Sequence, residues 1–148
     1  MDSTASLHAG LTGLEQLRAL IADGEVPIGR TLGFKIVQAE EGRVAFEAEP
    51  SLAVYNPIGT VHGGFAAAIL DSCCGCAVHS RLSPAQNYTT LELKIAYHKA
   101  ITVKTGTLRG EGRVLSFGRR AAFAEATLCD AAGRLYASAT STLLVMDR

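Results

Sequence analysis

Residues 56–71 read Asn56-Pro57-Ile58-Gly59-Thr60-Val61-His62-Gly63-Gly64-Phe65-Ala66-Ala67-Ala68-Ile69-Leu70-Asp71. Asn56-Pro57 and Gly59 mark a loop. Gly63 opens a small, apolar run that continues through Cys73, Cys74, Cys76, Ala77 and Val78 to about Arg81. A helix that is apolar almost all round has to be wrapped by other structure, so the run predicts a buried helix. Its N-terminus offers unpaired N–H groups and partial positive charge. Gly63 and Gly64 bare the backbone there, so a carbonyl group can approach closely. Asn56 and His62 place polar groups around the same entrance. Asp71 is an acid inside this apolar helix, where an unpaired carboxylate is costly; it needs a partner or a wet cavity.

On the N-terminal side, Thr12 and Glu15 fit a capping box. Leu14, Leu17, Leu20 and Ile21 follow at helical spacing, and Gly24 and then Pro27 are expected to stop that helix. Its polar face is not basic, so it reads as a lid or cover with no membrane role. Phe34, Ile36 and Val37 lead into a Glu41-Gly42 turn, after which Val44, Phe46 and Ala48 alternate with polar or small residues, a strand pair. Pro50 to Gly59 reads as loop. Beyond Pro84 the period becomes two, with Leu91, Leu93, Ile95 and Tyr97 expected on one face and Thr90, Glu92, Lys94 and Ala96 on the other. Further strands are expected over Val103 to Val114, Arg119 to Cys129 and Leu135 to Met146, with turns at Ser116-Phe117-Gly118 and Asp130 to Gly133. Long hairpins around one apolar helix predict an α+β arrangement, a sheet curled about that helix.

The chain has 148 residues, the size of one domain. Residues 1–27 form an N-terminal helical extension in this reading and 28–148 the core. With 48% hydrophobic and 19% charged residues, disorder is excluded. Fourteen Lys and Arg balance 14 Asp and Glu, which argues against nucleic acid or an anionic membrane as the main partner. A mean hydropathy of +0.20 points to apolar surface buried against another subunit. Met1-Asp2-Ser3-Thr4 carries an acid where a signal peptide needs basic residues, and the apolar run Phe65 to Leu70 is too short to span a bilayer; the expected location is cytoplasmic. Cys73, Cys76 and His79 raise a metal reading, but Cys-x-x-Cys holds zinc only if two more ligands converge. Small cysteines packing a helix against a sheet account for them without metal.

Asn56, Gly59, His62-Gly63-Gly64 and an acid nine positions after the His together resemble the hotdog-fold acyl-CoA thioesterases, in their phenylacetic-acid-degradation (PaaI-like) branch. By element order the resemblance covers about residues 28 to 146. It implies a curved antiparallel sheet wrapped around one long central helix, and a homodimer or dimer-of-dimers tetramer with sites shared across the interface. It also implies an acyl-CoA substrate, the coenzyme A being part of the substrate and no other cofactor needed. On this resemblance the Gly63 N–H and the Asn56 side chain polarise the thioester carbonyl, with Gly64 beside them. Asp71 of the opposite subunit activates water or attacks directly, and His62 orients Asn56 or contacts substrate. Thr90 supplies a hydroxyl near the acid, with Thr89 as the alternative in register. Ser116-Phe117-Gly118-Arg119-Arg120 matches a stretch that in similar proteins lies near the coenzyme's phosphates, which Arg grips bidentately; ordinary solvated charge is the alternative for Arg119 and Arg120. Tyr88 is a packing residue or a substrate contact. The sequence departs from the family at His98-Lys99-Ala100, where a proline is common.

Such a minimal set suits thioester hydrolysis. A thiol ionises near pH ~8.5, so the leaving group needs little acid catalysis. Water activation and oxyanion stabilisation remain. The rival outside enzymology is a hotdog protein that only binds acyl-CoA as a sensor or carrier, which needs no acid beside the thioester. An enoyl-CoA hydratase of the same fold would place its Asp and His differently, and His79, eight residues after Asp71, does not match.

Overall fold

The computed structural model describes residues 9–24 and 26–148. Six antiparallel strands form one sheet: β1 (Phe34–Glu40), β2 (Arg43–Ala48), β3 (Gln86–Tyr97), β4 (Leu108–Phe117), β5 (Ala121–Asp130) and β6 (Leu135–Asp147), in the spatial order β1-β2-β4-β5-β6-β3. The helix α3 (Gly63–His79) lies across the inner face of this curved sheet, as the hotdog fold requires. Two shorter helices precede them, α1 (Gly13–Asp23) and α2 (Pro27–Leu32). Among the described residues no helix is long and apolar enough to cross a membrane.

Small residues on both sides bring helix and sheet together. Ala66, Cys73, Cys74 and Ala77 of α3 are buried, and the sheet beneath offers Ala122, Ala124, Ala126, Ala137 and Ala139. Gly110 and Gly112 of β4 make the closest approach. A Cβ on Gly112 would lie 2.2 Å from the carbonyl oxygen of Cys73, and one on Gly110 would lie 2.8 Å from the Cys73 sulfur. The first contact is with backbone and cannot be relieved by a rotamer change. Gly112→Ala is therefore expected to cost about 3 kcal/mol or more through overpacking, seen as a large drop in thermal midpoint or loss of soluble protein; a midpoint within a few degrees of the parent would contradict this packing.

The capping box at α1 forms as predicted: the Thr12 hydroxyl accepts from the Glu15 N–H and the Glu15 carboxylate accepts from the Thr12 N–H. Gly24 ends α1 in the left-handed conformation, φ +101°. Pro27, read as a stop, opens α2 at its first turn instead, where the missing N–H costs nothing. α1 sits on the C-terminal end of α3, with Gly13 against the His79 carbonyl and Leu17 in the core. It covers that end and stands away from the Gly63 entrance.

Three further boundaries differ from expectation. Leu52–Val54 is a single 3-10 turn within the expected loop, Val103–Thr105 is another, and β4 begins only at Leu108. β4 also runs through Ser116 and Phe117, so that turn falls at residues 118–120. The largest difference is in β3. Its register against β6 shifts between Thr90 and Glu92, so Leu91 is the extra residue of a bulge and is 58% exposed. The bulge reverses the alternation: Tyr88 and Thr90 share the inner face with Leu93 and Ile95, although simple period two puts Thr90 on the opposite side from Leu93.

Candidate active site

The entrance to α3 is built by its own preceding residues. The Asn56 side-chain carbonyl accepts from the Ile58 N–H (3.0 Å) and the Thr60 N–H (3.4 Å), and its amide donates to the Thr60 hydroxyl (3.1 Å). Asn56 thus shapes the loop with one side and keeps a second amide hydrogen for another acceptor. His62 is the N-cap of α3: its Nδ1 accepts from the Gly64 N–H at 2.7 Å. That bond requires the Nε2–H form when the ring is neutral, and it occupies the Gly64 donor. The Gly63 N–H, the next orphan of the helix start, donates to no group among the described residues. The Tyr97 hydroxyl donates to the Gly63 carbonyl at 2.7 Å, 34 residues away in sequence. A cavity of about 350 Å³ opens here, lined by His62, Gly63, Ala66, Tyr97, His98 and Lys99.

Asp71 lies further along α3, half-buried, and Thr90 of β3 donates its hydroxyl to the carboxylate at 3.0 Å. Thr89 points to the outer face, so Thr90 is the hydroxyl that meets the acid. Asp71 has no ion-pair partner among the described residues, and most of its lone pairs stay open. Asp71 comes eight positions after Gly63 along the helix, about 12 Å at 1.5 Å per residue. One small carbonyl cannot touch both groups of the same chain. Arg119 and Arg120 are exposed at the other end of the sheet, on a cavity that they share with Gln86, Val145 and Asp147.

The cysteines diverge from one another. Cys73 is turned into the core against Gly110, while Cys76 lies on the side of Asp71 and Tyr88. Burial, reinforced by the Asp71 charge, pushes the Cys74 and Cys76 thiols up to about 12, and burial also raises Cys73 well above the thiol range. These sulfurs stay protonated and are poor nucleophiles. His79 Nε2 is 2.9 Å from the Gln16 side-chain oxygen of α1. Tyr97, His98 and Lys99 line the site, although the sequence reading places Tyr97 only on a strand face and His98-Lys99 only at a departure from the family pattern. Tyr97 ends an alternating apolar run and carries no local signal of its contact with Gly63.

The arrangement offers a free backbone donor at a helix start and an open carboxylate held by a hydroxyl, the parts needed to polarise a carbonyl and activate water. Comparisons with known proteins identify the family of the chain. The proofreading thioesterase EntH of Klebsiella pneumoniae is 29% identical over 118 residues, 80% of this chain and 85% of its own. A thioesterase family protein from Silicibacter pomeroyi superposes with a TM-score of 0.80 at 26% identity, over 92% of this chain and 99% of that one. A phenylacetic acid degradation-related protein from Ralstonia eutropha gives 0.76 at 29% identity, over 86% and 96%. A Streptococcus mutans protein bound to acetyl CoA gives 0.71 at 27%, over 78% and 90%. The family profile described as the thioesterase superfamily aligns with residues 58–137, more than half of the chain and a span that holds Gly63, Asp71 and Thr90. By sequence and by fold, this chain belongs to the thioesterase superfamily.

Proposed function

We propose that the protein is an acyl-CoA thioesterase of the PaaI-like branch, which hydrolyses an aryl- or medium-chain acyl-CoA to the free acid and coenzyme A. The observation that carries this reading is Asp71: a carboxylate on an apolar helix, held by Thr90 and left open to a reactant. The relative of known ligand, bound to acetyl CoA, adds coenzyme chemistry to the same fold.

The site is completed by a second copy. β3 is an edge strand of 12 residues with no strand on its outer side among the described residues, and such an edge is a template for another strand. Antiparallel pairing with its own copy sets the Gln86 end of one β3 beside the Tyr97 end of the other. This brings Asp71 and Thr90 of one protomer toward the Gly63 entrance of its partner, and closes the 12 Å gap that a single chain leaves. Arg119 and Arg120, beside Gln86, come to the mouth of that shared site, where they meet the coenzyme's phosphates.

In the reaction, the Gly63 N–H and the spare Asn56 amide hydrogen bind the thioester oxygen. Asp71 takes a proton from water as its oxygen attacks the carbonyl carbon, and Thr90 keeps the carboxylate oriented. The C–S bond then breaks and the coenzyme leaves as thiolate, with the Gly63 donor stabilising the oxyanion in between. His62, whose Nδ1 accepts from the Gly64 N–H, presents its Nε2–H to the substrate side. No metal or organic cofactor takes part in this scheme.

Free-thiol release from a panel of aryl and alkyl acyl-CoAs, with the parent beside Asp71→Ala, tests the proposal. Hydrolysis that falls by about 10²–10⁴-fold in the variant is the expected result. Tight binding of several acyl-CoAs with no turnover of any would replace it with a sensor or carrier role. One turnover in ¹⁸O-water tests direct attack by the carboxylate: label in Asp71 means an acyl-Asp71 anhydride opened by water at the Asp71 carboxyl carbon, whereas activated water puts all the label in the product acid and leaves no trappable anhydride.

A further inference from the structure

The contact next to Asp71–Thr90 is Gly75–Tyr88. Gly75 follows Asp71 by one helical turn, and Tyr88 precedes Thr90 by two residues on the same inner face of β3, so the two pairs are successive rungs between α3 and the edge strand. A Cβ on Gly75 would lie 2.8 Å from the Tyr88 hydroxyl oxygen and 3.1 Å from its ring. The phenol therefore rests on bare helix backbone and fills the space that a side chain at 75 would take. The next rung fixes the ring from behind. His79 meets Tyr88 edge-on, with centroids 5.6 Å apart and planes at 81°. His79 is held in turn by Gln16, whose amide donates to the Leu11 carbonyl at 3.0 Å. Tyr88 is thus clamped through α1.

The clamp leaves the hydroxyl unused. Tyr88 has no side-chain hydrogen bond among the described residues. Burial, reinforced by the neighbouring Cys76 and the Asp71 carboxylate, nevertheless holds its ionisation well above the ordinary phenol value. Among the described residues no buried side-chain oxygen or nitrogen lacks a partner, so the Tyr88 hydroxyl, on a half-buried residue, keeps access to a group from outside. Here it sits one turn from the reacting carboxylate.

Resting on the Asp71-centred reading of the site, we infer that Tyr88 is the specificity-determining residue for the acyl group: its clamped ring ends the acyl pocket one turn beyond Asp71, and its hydroxyl donates to an oxygen carried by the acyl group. The preferred substrates are short acyl groups with such an oxygen. Longer, purely apolar chains run into the ring.

Two variants separate size from hydrogen bonding. Tyr88→Ala removes the stop and is expected to move the optimum of kcat/KM along a straight-chain acyl-CoA series by two or more carbons, since a hydrophobic site discriminates about 10–200-fold per methylene. Tyr88→Phe keeps the ring and is expected to lower kcat/KM about 10-fold or more for an oxygen-bearing acyl group, and to leave its deoxy counterpart within about 2-fold. A matched pair such as 4-hydroxyphenylacetyl- and phenylacetyl-CoA serves as probe. An equal fall for all substrates in both variants, with the ratios unchanged, would make Tyr88 a packing residue and overturn the inference. The Asp71 reading fails separately: if the parent hydrolyses nothing, calorimetry with non-hydrolysable acyl-CoA thioethers of the same series still reports selectivity, and a length preference that Tyr88→Ala does not shift sinks the role of Tyr88.

Discussion

Gly63→Pro is expected to lower kcat for thioester hydrolysis by about 10²–10³-fold while α3 stays folded. Proline removes the Gly63 N–H, which has no acceptor among the described residues, and loss of one oxyanion donor has effects of this size. The substitution suits the backbone unusually well. Position 63 is the first helical residue, where proline is favoured. His62 before it has φ −61° and ψ 136°, the extended region that a following proline demands. The added ring meets mainly the tip of Tyr97, 3.0 Å from a Cβ, which can shift. A thermal midpoint near that of the parent, together with the lost rate, isolates the donor from the fold. Full activity would remove Gly63 from the mechanism. The same variant also tests the shared site. Mixed with Asp71→Asn, itself inactive, it forms mixed dimers with one intact site of two, so about a quarter of parental activity returns on subunit exchange. No recovery despite exchange would place Gly63 and Asp71 in one chain's site.

The second large effect is alkaline. Cys73 and Cys74 are fully enclosed and Cys76 is half-buried, and all three thiols ionise far above an exposed cysteine, Cys74 and Cys76 at about 12. Because burial favours the protonated form in the folded chain, the folded state binds more protons than the unfolded one once the pH passes the unfolded thiol value of about 8.5. The stability from this source is complete below that pH and is lost as pH rises toward 12. Each thiol removes about 1 kcal/mol per pH unit in that window, and Tyr88 adds to the loss above pH ~10, where an unfolded phenol ionises. Three thiols together consume much of an ordinary stability of about 5–15 kcal/mol by pH ~10.5. Denaturant unfolding at pH 7, 9, 10 and 10.5 should show midpoints that are flat at first and then fall steeply, with a shallower fall in Cys74→Ala. A midpoint unchanged between pH 8 and 10.5 would contradict the assignment.

What could be read in advance follows from how local the causes are. α3 was legible because Phe65 to Val78 has almost no polar residue and only a wrapped helix tolerates that. The Thr12–Glu15 cap and the Glu41-Gly42 turn are likewise decided within a few residues. Pro27 is ambiguous from sequence because the same fixed φ that ends one helix also opens another. The bulge at Leu91 was invisible because it is set by the pairing of β3 with β6, about 50 residues later in the chain. That one residue decides whether Thr90 meets Asp71. The site motif was legible as a cluster, but its division of labour was not. That Gly64 is taken by His62 while Gly63 is free, and that Tyr97 reaches back to Gly63, are facts of folded geometry.

The contact of Gly110 and Gly112 with α3 carries one more consequence. At Gly112 strand backbone rests on the helix backbone of Cys73, and at Gly110 it rests on the short, enclosed Cys73 side chain, so little there can rearrange and α3 behaves as a fixed rail. Gly63 and Asp71 ride on it at constant spacing whatever is bound. Adaptation to a new acyl group has to come from the opposite wall, the edge strand with Tyr88, whose contacts are made by side chains and are free to diverge. The fold thereby separates a part that mutation cannot easily retune from a part that it can.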